Sequence, residues 1–191
     1  MITATILTCN ELNPLKRCLE SIQNYVDDII IGVDSKTIDG TQDYLNGKYK
    51  FDVFEFKDFS KARNDLIEKV KTPWYLVIDS DETMLEKHAS KIKDLLKEGD
   101  RRGVDTFTMG RKHWFDLEMT KEWIPFAYID KHFRIMRKHL RYFGKVHESI
   151  QDAKRISDCE LWIQHFNMFY RTAEDWKAKN EFYQELGKNN G

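Results

Sequence analysis

The chain has 191 residues, 41% of them hydrophobic and 13% aromatic, enough to build one domain and its core without disulfide or metal staples. Its 31 lysines and arginines balance 32 aspartates and glutamates, which excludes a strong whole-molecule attraction to nucleic acid or to an anionic membrane. Cys9, Cys18 and Cys159 are odd in number and lack any CxxC spacing, which argues against a disulfide framework or structural zinc and suits a reducing cytoplasm.

At the N-terminus, MITATILTCNEL turns polar too soon for a signal peptide, and no apolar run in the chain nears the roughly 20 residues that span a bilayer. The expectation is a soluble, cytoplasmic protein that is not integral to a membrane, with a peripheral membrane contact left open. ITATILT is followed by PLKRCLESI, DIIIGVD by TQDYL, FDVFEF by SKARNDLIEKV, and WYLVIDS by MLEKHASKIKDLL. Strand-like runs alternating with amphipathic helical patterns predict βα units around a mostly parallel sheet, covered on both faces.

Local signals place the helix starts. Asn13 and Pro14 suit N-cap and first helical position, Asp39-Gly40 reads as a turn with Thr41 as N-cap, and Thr83 with Glu86 fits a capping box. Ala62, Leu66, Ile67 and Val70 form the buried face of one helix; Leu85, Ala89, Ile92 and Leu96 form the stripe of another.

After Gly103 the pattern changes to VDTFTMGRKHWF, DKHFRIMRK and CELWIQHF, strand-like runs without a strong helix between them, so the sheet is expected to become mixed. The stretch DLEMTKEWIPFAYI has no clean period and the length of a lid or binding loop. Thr172 and Asp175 fit a second capping box, opening a last helix that frays in GKNNG. One α/β domain over 1–191 is predicted, with a βα half (1–100) and a less regular half (101–191).

The stretch LVIDSDETML places Asp79 and Asp81 at the end of the fourth strand-like run, and ligands of open α/β sheets bind at the carboxyl ends of strands. In extended backbone the two carboxylates point to one side, and such oxygen donors suit Mg²⁺ or Mn²⁺. An acidic turn capping the next helix is the plainer reading. The loop Thr8 to Glu11 offers hydroxyl, amide and carboxylate groups to a nucleotide base, and Asp34 follows the second strand as an acid on a base or ribose would. Loop chemistry at Asn10 and a turn role at Asp34 remain alternatives.

DSDET also matches the DxDxT signature of haloacid-dehalogenase-like phosphatases, in which the first aspartate is a nucleophile. Those enzymes carry the motif on their opening strand and a second acidic pair later; here three βα units precede it and no Asp-Asp pair follows Asp105. TCNEL, VDSKTIDGT, FSKARND and LVIDSDE, in this order at successive strand ends, instead resemble family 2 glycosyltransferases of the GT-A fold, closest to the lipopolysaccharide-core glucosyltransferase-like branch. The similarity covers about the first 90 residues well.

The resemblance implies a metal-dependent, inverting transfer from a UDP- or GDP-sugar. Thr8, Asn10, Glu11, Asp34, Arg63, Asp79 and Ser80 fall on the nucleotide-sugar side, and Asp81 on the Mn²⁺ or Mg²⁺. Glu82 is then a supporting or helix-start acid. KVHES resembles a GxVHE pattern of this branch, which brings His147 toward the metal and makes Glu148 the general base that takes the acceptor proton. His165, at the end of WIQHF, is a second candidate metal ligand; His113, His132 and His139 lack comparable support.

Lys131, Arg134, Arg137, Lys138, Arg141 and Lys145 could meet an anionic acceptor, although a solvated strand face with Phe133 and Ile135 inward is the simpler reading. Trp114, Trp123, Phe126 and Tyr128 could form a sugar platform or anchor the loop. The acceptor, whether glycan, lipid-linked, protein or modified base, is not encoded legibly. The chain is also short for such a family, so the expectation is that it lacks an acceptor-binding extension or acts beside a partner. A nucleotide-sugar-binding module without catalysis is the non-enzyme alternative.

Overall fold

The apolar runs of the first hundred residues form four parallel strands: β1 (Ile2–Thr8), β2 (Asp28–Asp34), β3 (Lys50–Phe54) and β4 (Trp74–Val77). The connecting patterns form α1 (Leu12–Ile22), α2 (Thr41–Leu45) and α3 (Phe59–Lys69). The structure is a computed structural model and describes residues 1–124, 130–145 and 148–188. Strand order is β3-β2-β1-β4, so the chain builds outward from β1 and then returns to its other side. The loops leaving β1 and β4 therefore open at the point where strand order reverses, where open α/β sheets bind ligands.

Both faces of β1, β2 and β4 are covered, while β3 is a half-exposed edge. Leu15, Cys18, Leu19 and Ile22 of α1 pack with Ile2, Ala4 and Ile6; Leu66 and Ile67 of α3, with Val70, pack with Ile30, Tyr75 and Val77. Burying each large aliphatic side chain contributes about 1.5–3 kcal/mol, which explains why β2 and β4 read as near-continuous apolar runs and β1 as an aliphatic run interspersed with threonine.

The remaining elements are β5 (Glu82–Met84), α4 (Glu86–Ala89), α5 (Ile92–Arg102), β6 (Thr106–Trp114), β7 (Glu122–Trp123), β8 (Lys131–Arg137), β9 (Arg141–Phe143), β10 (Ser149–Gln151), β11 (Ile156–His165), α6 (Asn167–Tyr170) and α7 (Ala173–Lys188). The sheet continues β4-β8-β6-β11-β5, with β8 antiparallel to both neighbours, β11 parallel to β6 and β5 antiparallel to β11. The expected change to a mixed sheet is thus observed. β9 and β10 form a separate ribbon held to α3 by Asn64, whose side chain accepts from Tyr142 N and donates to Tyr142 O at 2.9 and 2.8 Å.

Two details of β6 and β8 matter below. Thr108 pairs with Phe133 and Phe107 with Ile135, so Arg134 is the extra residue of a β-bulge, a device that re-aims a side chain. On β6, Gly110 lies beneath Trp162 of β11, and a Cβ at that position would meet the indole at 2.5 Å.

Several helix starts differ from expectation. α1 begins at Leu12, not at Asn13-Pro14, because Asp39 Oδ2 accepts Leu12 N at 2.8 Å and caps the helix from across a loop. Asp39 also accepts from Thr41 N and Oγ1, so the Asp39-Gly40 turn is structural as read; Gly40, at φ 85°, takes the N-cap position instead of Thr41.

The Thr83/Glu86 capping box does not form, since Thr83 is a strand residue paired with Gln164 of β11. The helix expected there divides into α4 and α5, with Ala89, Ile92 and Leu96 buried. The Thr172/Asp175 box does form: Asp175 accepts from Thr172 N at 2.8 Å and Thr172 Oγ1 accepts from Asp175 N at 3.2 Å. Gly187 and Lys188 of the expected frayed end are helical. In the long loop, Asp116 accepts from Thr120 N and Lys121 N, and β7 folds back on β6; Pro125, Phe126 and Tyr128 lie outside the described residues.

Candidate functional site

Asp79, Ser80 and Asp81 follow β4, and Asn10 and Glu11 follow β1, so the β1–β4 pairing brings them together. The backbone between the carboxylates is not extended. Glu82 N donates to Asp79 O at 3.0 Å, closing a turn, and the two aspartates take different partners.

Asp79 faces arginines. Arg63 Nη2 donates to its Oδ1 at 2.9 Å, and Arg134 Nη1 lies 3.6 Å from Oδ2. Arg63 Nε also donates to Glu148 Oε1 at 2.8 Å, so a single guanidinium links the fourth strand to the segment before β10. Beneath them Glu82, fully buried, accepts from Arg134 at 2.5 Å, Arg111 at 3.3 Å and Asp79 N at 2.9 Å. Burial alone would push the Asp79 carboxyl up, but the Arg63 and Arg134 charges hold it well below the usual range.

Asp81 faces histidine. His165 Nε2 lies 3.4 Å from Asp81 Oδ2, and Arg171 Nη2 lies 3.6 Å from the same atom. Burial opposes ionisation of Asp81, and the positive charge that His165 carries when protonated outweighs it, lowering the carboxyl to about 2. Phe166 N donates to Asp81 O at 3.0 Å, fixing the end of β11 against the turn. Glu11 accepts from Ser80 Oγ and, at 3.0 Å, from Arg171 Nη2. Burial and the nearby Asp81 charge push its carboxyl up to about 7. Beside Glu11 and Arg171 opens a cleft of about 490 Å³, lined also by Asn10, Asn13 and Tyr170.

The other residues singled out in the sequence fall around this centre. Thr8 is buried at the end of β1. Asn10 adopts φ 52°, a conformation asparagine tolerates, and its Oδ1 accepts from Ile38 N at 2.8 Å, which ties the β1 loop to the β2 loop. Asp34 accepts from Lys36 N at 3.0 Å and so orders its own loop. His147 lies outside the described residues. Glu82 opens a strand and not a helix.

The basic segment does not form one solvated face: Arg134 is buried at the site, Arg137 pairs with Asp100 at 2.7 Å and stacks on Trp74, and Lys131 pairs with Asp158 at 2.5 Å. Trp114 donates to Gln164 on the sheet face opposite His113, whereas Trp123 packs against His113. His139 is exposed.

Sequence reasoning missed Arg111, Arg134, Asp130, His113 and Arg171. His113 was set aside for lack of a motif, yet it is buried beside His165. α7 also approaches the site: Phe182 and Tyr183 pack against Phe56 and Phe59, and burial with the Asp79 charge raises the Tyr183 hydroxyl to about 12.

Among the described residues, no three of His, Cys, Asp and Glu converge as a complete metal-binding set. Asp81 and His165 supply an adjacent oxygen and nitrogen, both nearly buried, and cations of the Mg²⁺ type commonly take only one or two protein ligands beside substrate phosphates. The residues therefore fit a cation that shares its coordination with a diphosphate.

A parallel sheet that turns mixed beyond its fourth strand, with acids and arginines gathered at its switch point, has the GT-A fold of nucleotide-diphospho-sugar transferases. The chain belongs to glycosyltransferase family 2, whose family model, Glycosyl transferase family 2, matches residues 3–157. This membership sets aside the phosphatase reading of DSDET. The SPbeta prophage-derived glycosyltransferase SunS of Bacillus subtilis (strain 168) is 30% identical over 155 residues, 77% of this chain and 34% of that protein. A TPR repeat-containing protein of Synechococcus elongatus is 26% identical over 154 residues, 80% of this chain and 36% of that protein.

The chain thus spans about a third of the length of these curated relatives. Among solved structures, S. aureus TarS 1–349 in complex with UDP-GlcNAc aligns with a TM-score of 0.61 at 16% identity, over 93% of this chain and 60% of that one. Among the described residues, no helix is long and apolar enough to cross a membrane.

Proposed function

We propose that this chain transfers a sugar from a UDP- or GDP-sugar to an acceptor hydroxyl, with inversion and with Mn²⁺ or Mg²⁺ at Asp81. The observation that carries this reading is the environment of Asp81: an ionised, nearly buried carboxylate that meets a histidine nitrogen at 3.4 Å, at the sheet's switch point in a family 2 chain. Family membership and the UDP-GlcNAc held by the TarS structure support a nucleotide-sugar donor.

In this reading Thr8, Asn10 and Asp34 bind the nucleoside, and Asp79 and Ser80 contact the donor while Arg63 keeps Asp79 in place. Asp81 and His165, with His147 as a further candidate, would hold the cation, which supplies positive charge for the departing nucleoside diphosphate. Arg171, beside Asp81 and Glu11, adds a guanidinium suited to phosphate oxygens. Glu148 takes the acceptor proton; Arg63 binds its Oε1 and so orients Oε2 as the receiving atom.

Thermal unfolding with UDP- and GDP-sugars, each with and without Mn²⁺, tests the proposal. Stabilisation by one nucleotide sugar, larger with Mn²⁺ than without, is expected; no response to any of them would refute it.

A further inference from the structure

Behind Asp81 lies a line of polar side chains that the proposed reaction leaves without a role. His165 Nδ1 meets His113 Nδ1 at 3.0 Å, and His113 Nε2 meets Asp130 Oδ2 at 2.8 Å. The contact is built into the sheet, because β6 and β11 pair His113 directly with His165. Both imidazoles are 5% exposed, and Trp123, paired with His113 from β7, sets its ring edge-on at a centroid distance of 5.2 Å. Neither ring has room to turn over freely.

A hydrogen bond between two imidazole nitrogens needs one donor and one acceptor, so the line has a polarity. Asp130 sets it. Arg111 Nε donates to Asp130 Oδ2 at 2.8 Å, and His132 Nε2 lies 2.7 Å from Oδ1. Burial opposes ionisation here, but hydrogen bonds from His113 and His132 and the Arg111 charge hold this carboxyl well below its ordinary range. An ionised carboxylate only accepts, so a neutral His113 carries its proton on Nε2 and presents a lone pair at Nδ1. That lone pair accepts from His165 Nδ1–H.

In its neutral, metal-binding form His165 then carries its proton on Nδ1 and has a bare Nε2 facing Asp81 Oδ2 at 3.4 Å. The opposite polarity would set a His113 lone pair against the Asp130 carboxylate at 2.8 Å. Two acceptors therefore face each other at the longer contact, the arrangement that a cation between them would relieve.

We infer that Asp130 and His113 are positioning residues that fix His165 in its Nδ1–H tautomer, so that His165 Nε2 and Asp81 form a two-donor seat for a divalent cation. The purpose assigned to the relay rests on the reading of Asp81 and His165 as metal ligands; the tautomers themselves do not. A metal-bound histidine whose other nitrogen donates onward is held in orientation and made a better ligand, and loss of such partners typically weakens metal binding 10–100-fold.

Long-range ¹⁵N–¹H correlation spectra of the ¹⁵N-labelled, metal-free protein at pH 8 read the tautomers directly. His165 is expected to carry its proton on Nδ1 alone and His113 on Nε2 alone. A proton on His165 Nε2, or a doubly protonated His113, would overturn the inference without any variant being made. Mn²⁺ titration followed by electron paramagnetic resonance, in the presence of UDP, supplies the second readout. Asp130→Asn is expected to weaken Mn²⁺ binding at least tenfold and to mix the His165 tautomers. Unchanged Mn²⁺ affinity in a variant whose tautomers are mixed overturns the positioning role. If the wild-type protein shows the assigned tautomers yet takes up no Mn²⁺, the relay's polarity is supported and the metal reading alone fails.

Discussion

Asp79 and Asp81 are two residues apart and sit in opposite surroundings. Asp79 is bound by Arg63 at 2.9 Å with Arg134 behind it, in a layer where the fully buried Glu82 also takes two guanidinium groups. Asp81 has a histidine nitrogen at 3.4 Å and a guanidinium at 3.6 Å, both beyond close hydrogen-bonding distance. One carboxylate has its charge answered by the protein. The other keeps bonding capacity for something the fold does not itself provide. The DxD spacing alone leaves the pair alike, the family resemblance gives them different parts, and the bulge and turn around them make their surroundings different.

Removing Arg134 should have the largest effect. Arg134→Met leaves Glu82 and Asp79 short of a cation inside the protein, and breaking such buried pairs costs about 3–5 kcal/mol. Urea denaturation measures it, and a loss under about 1 kcal/mol would break the contrast between the two aspartates. Asp81→Asn should behave in the opposite way. The stability loss should be smaller than for Arg134→Met, because only the looser contacts to His165 and Arg171 are lost, while Mn²⁺-dependent binding of a nucleotide sugar weakens at least about tenfold. Calorimetric titration at fixed Mn²⁺ reads the second quantity, and equal affinities in wild type and variant would refute it.

The third test is smaller and concerns pH. Folding raises the Glu11 carboxyl to about 7, so the folded protein binds this proton more tightly than the unfolded chain, whose glutamates titrate near roughly 4.3. Its contribution to stability is full below that lower value and is lost as pH rises through about 7. Asp79 and Asp81, held low, act in the opposite sense, and only below about pH 4. Stability of the metal-free protein measured from pH 5 to 8 should therefore fall less steeply in Glu11→Gln than in wild type. Parallel curves would show that Glu11 titrates normally.

The βα half was legible because its information is local. Largely apolar runs mark β1, β2 and β4, and the residues just past parallel strands lie on one sheet edge, which by itself brings Glu11, Asp79 and Asp81 together. The second half depends on pairings distant in sequence. β5 exists only because β11 accepts it, so the capping signal at Thr83 and Glu86 pointed to a helix where a strand forms. Arg134 reads in the sequence as part of a solvated strand face or an anionic-acceptor patch, because the bulge that turns it inward breaks the two-residue alternation. His113 and Asp130 acquire meaning only through the β6–β11 register, which no single segment encodes. Arg171 belongs to no local pattern, because its partners Glu11 and Asp81 stand far from it in sequence.

Gly110 shows what this dependence implies for variation. It carries no reactive group and lies three residues before His113, yet the indole of Trp162 occupies the space of its absent side chain, three residues before His165. Any larger residue at 110 must lift Trp162 and with it the strand that delivers His165 to Asp81. A mutational scan read by activity alone would score position 110 as if it did chemistry. Its defect would be relieved by trimming Trp162, whereas no second substitution elsewhere would return a lost Asp81; suppressor behaviour thus separates a residue that sets distances from one that forms bonds.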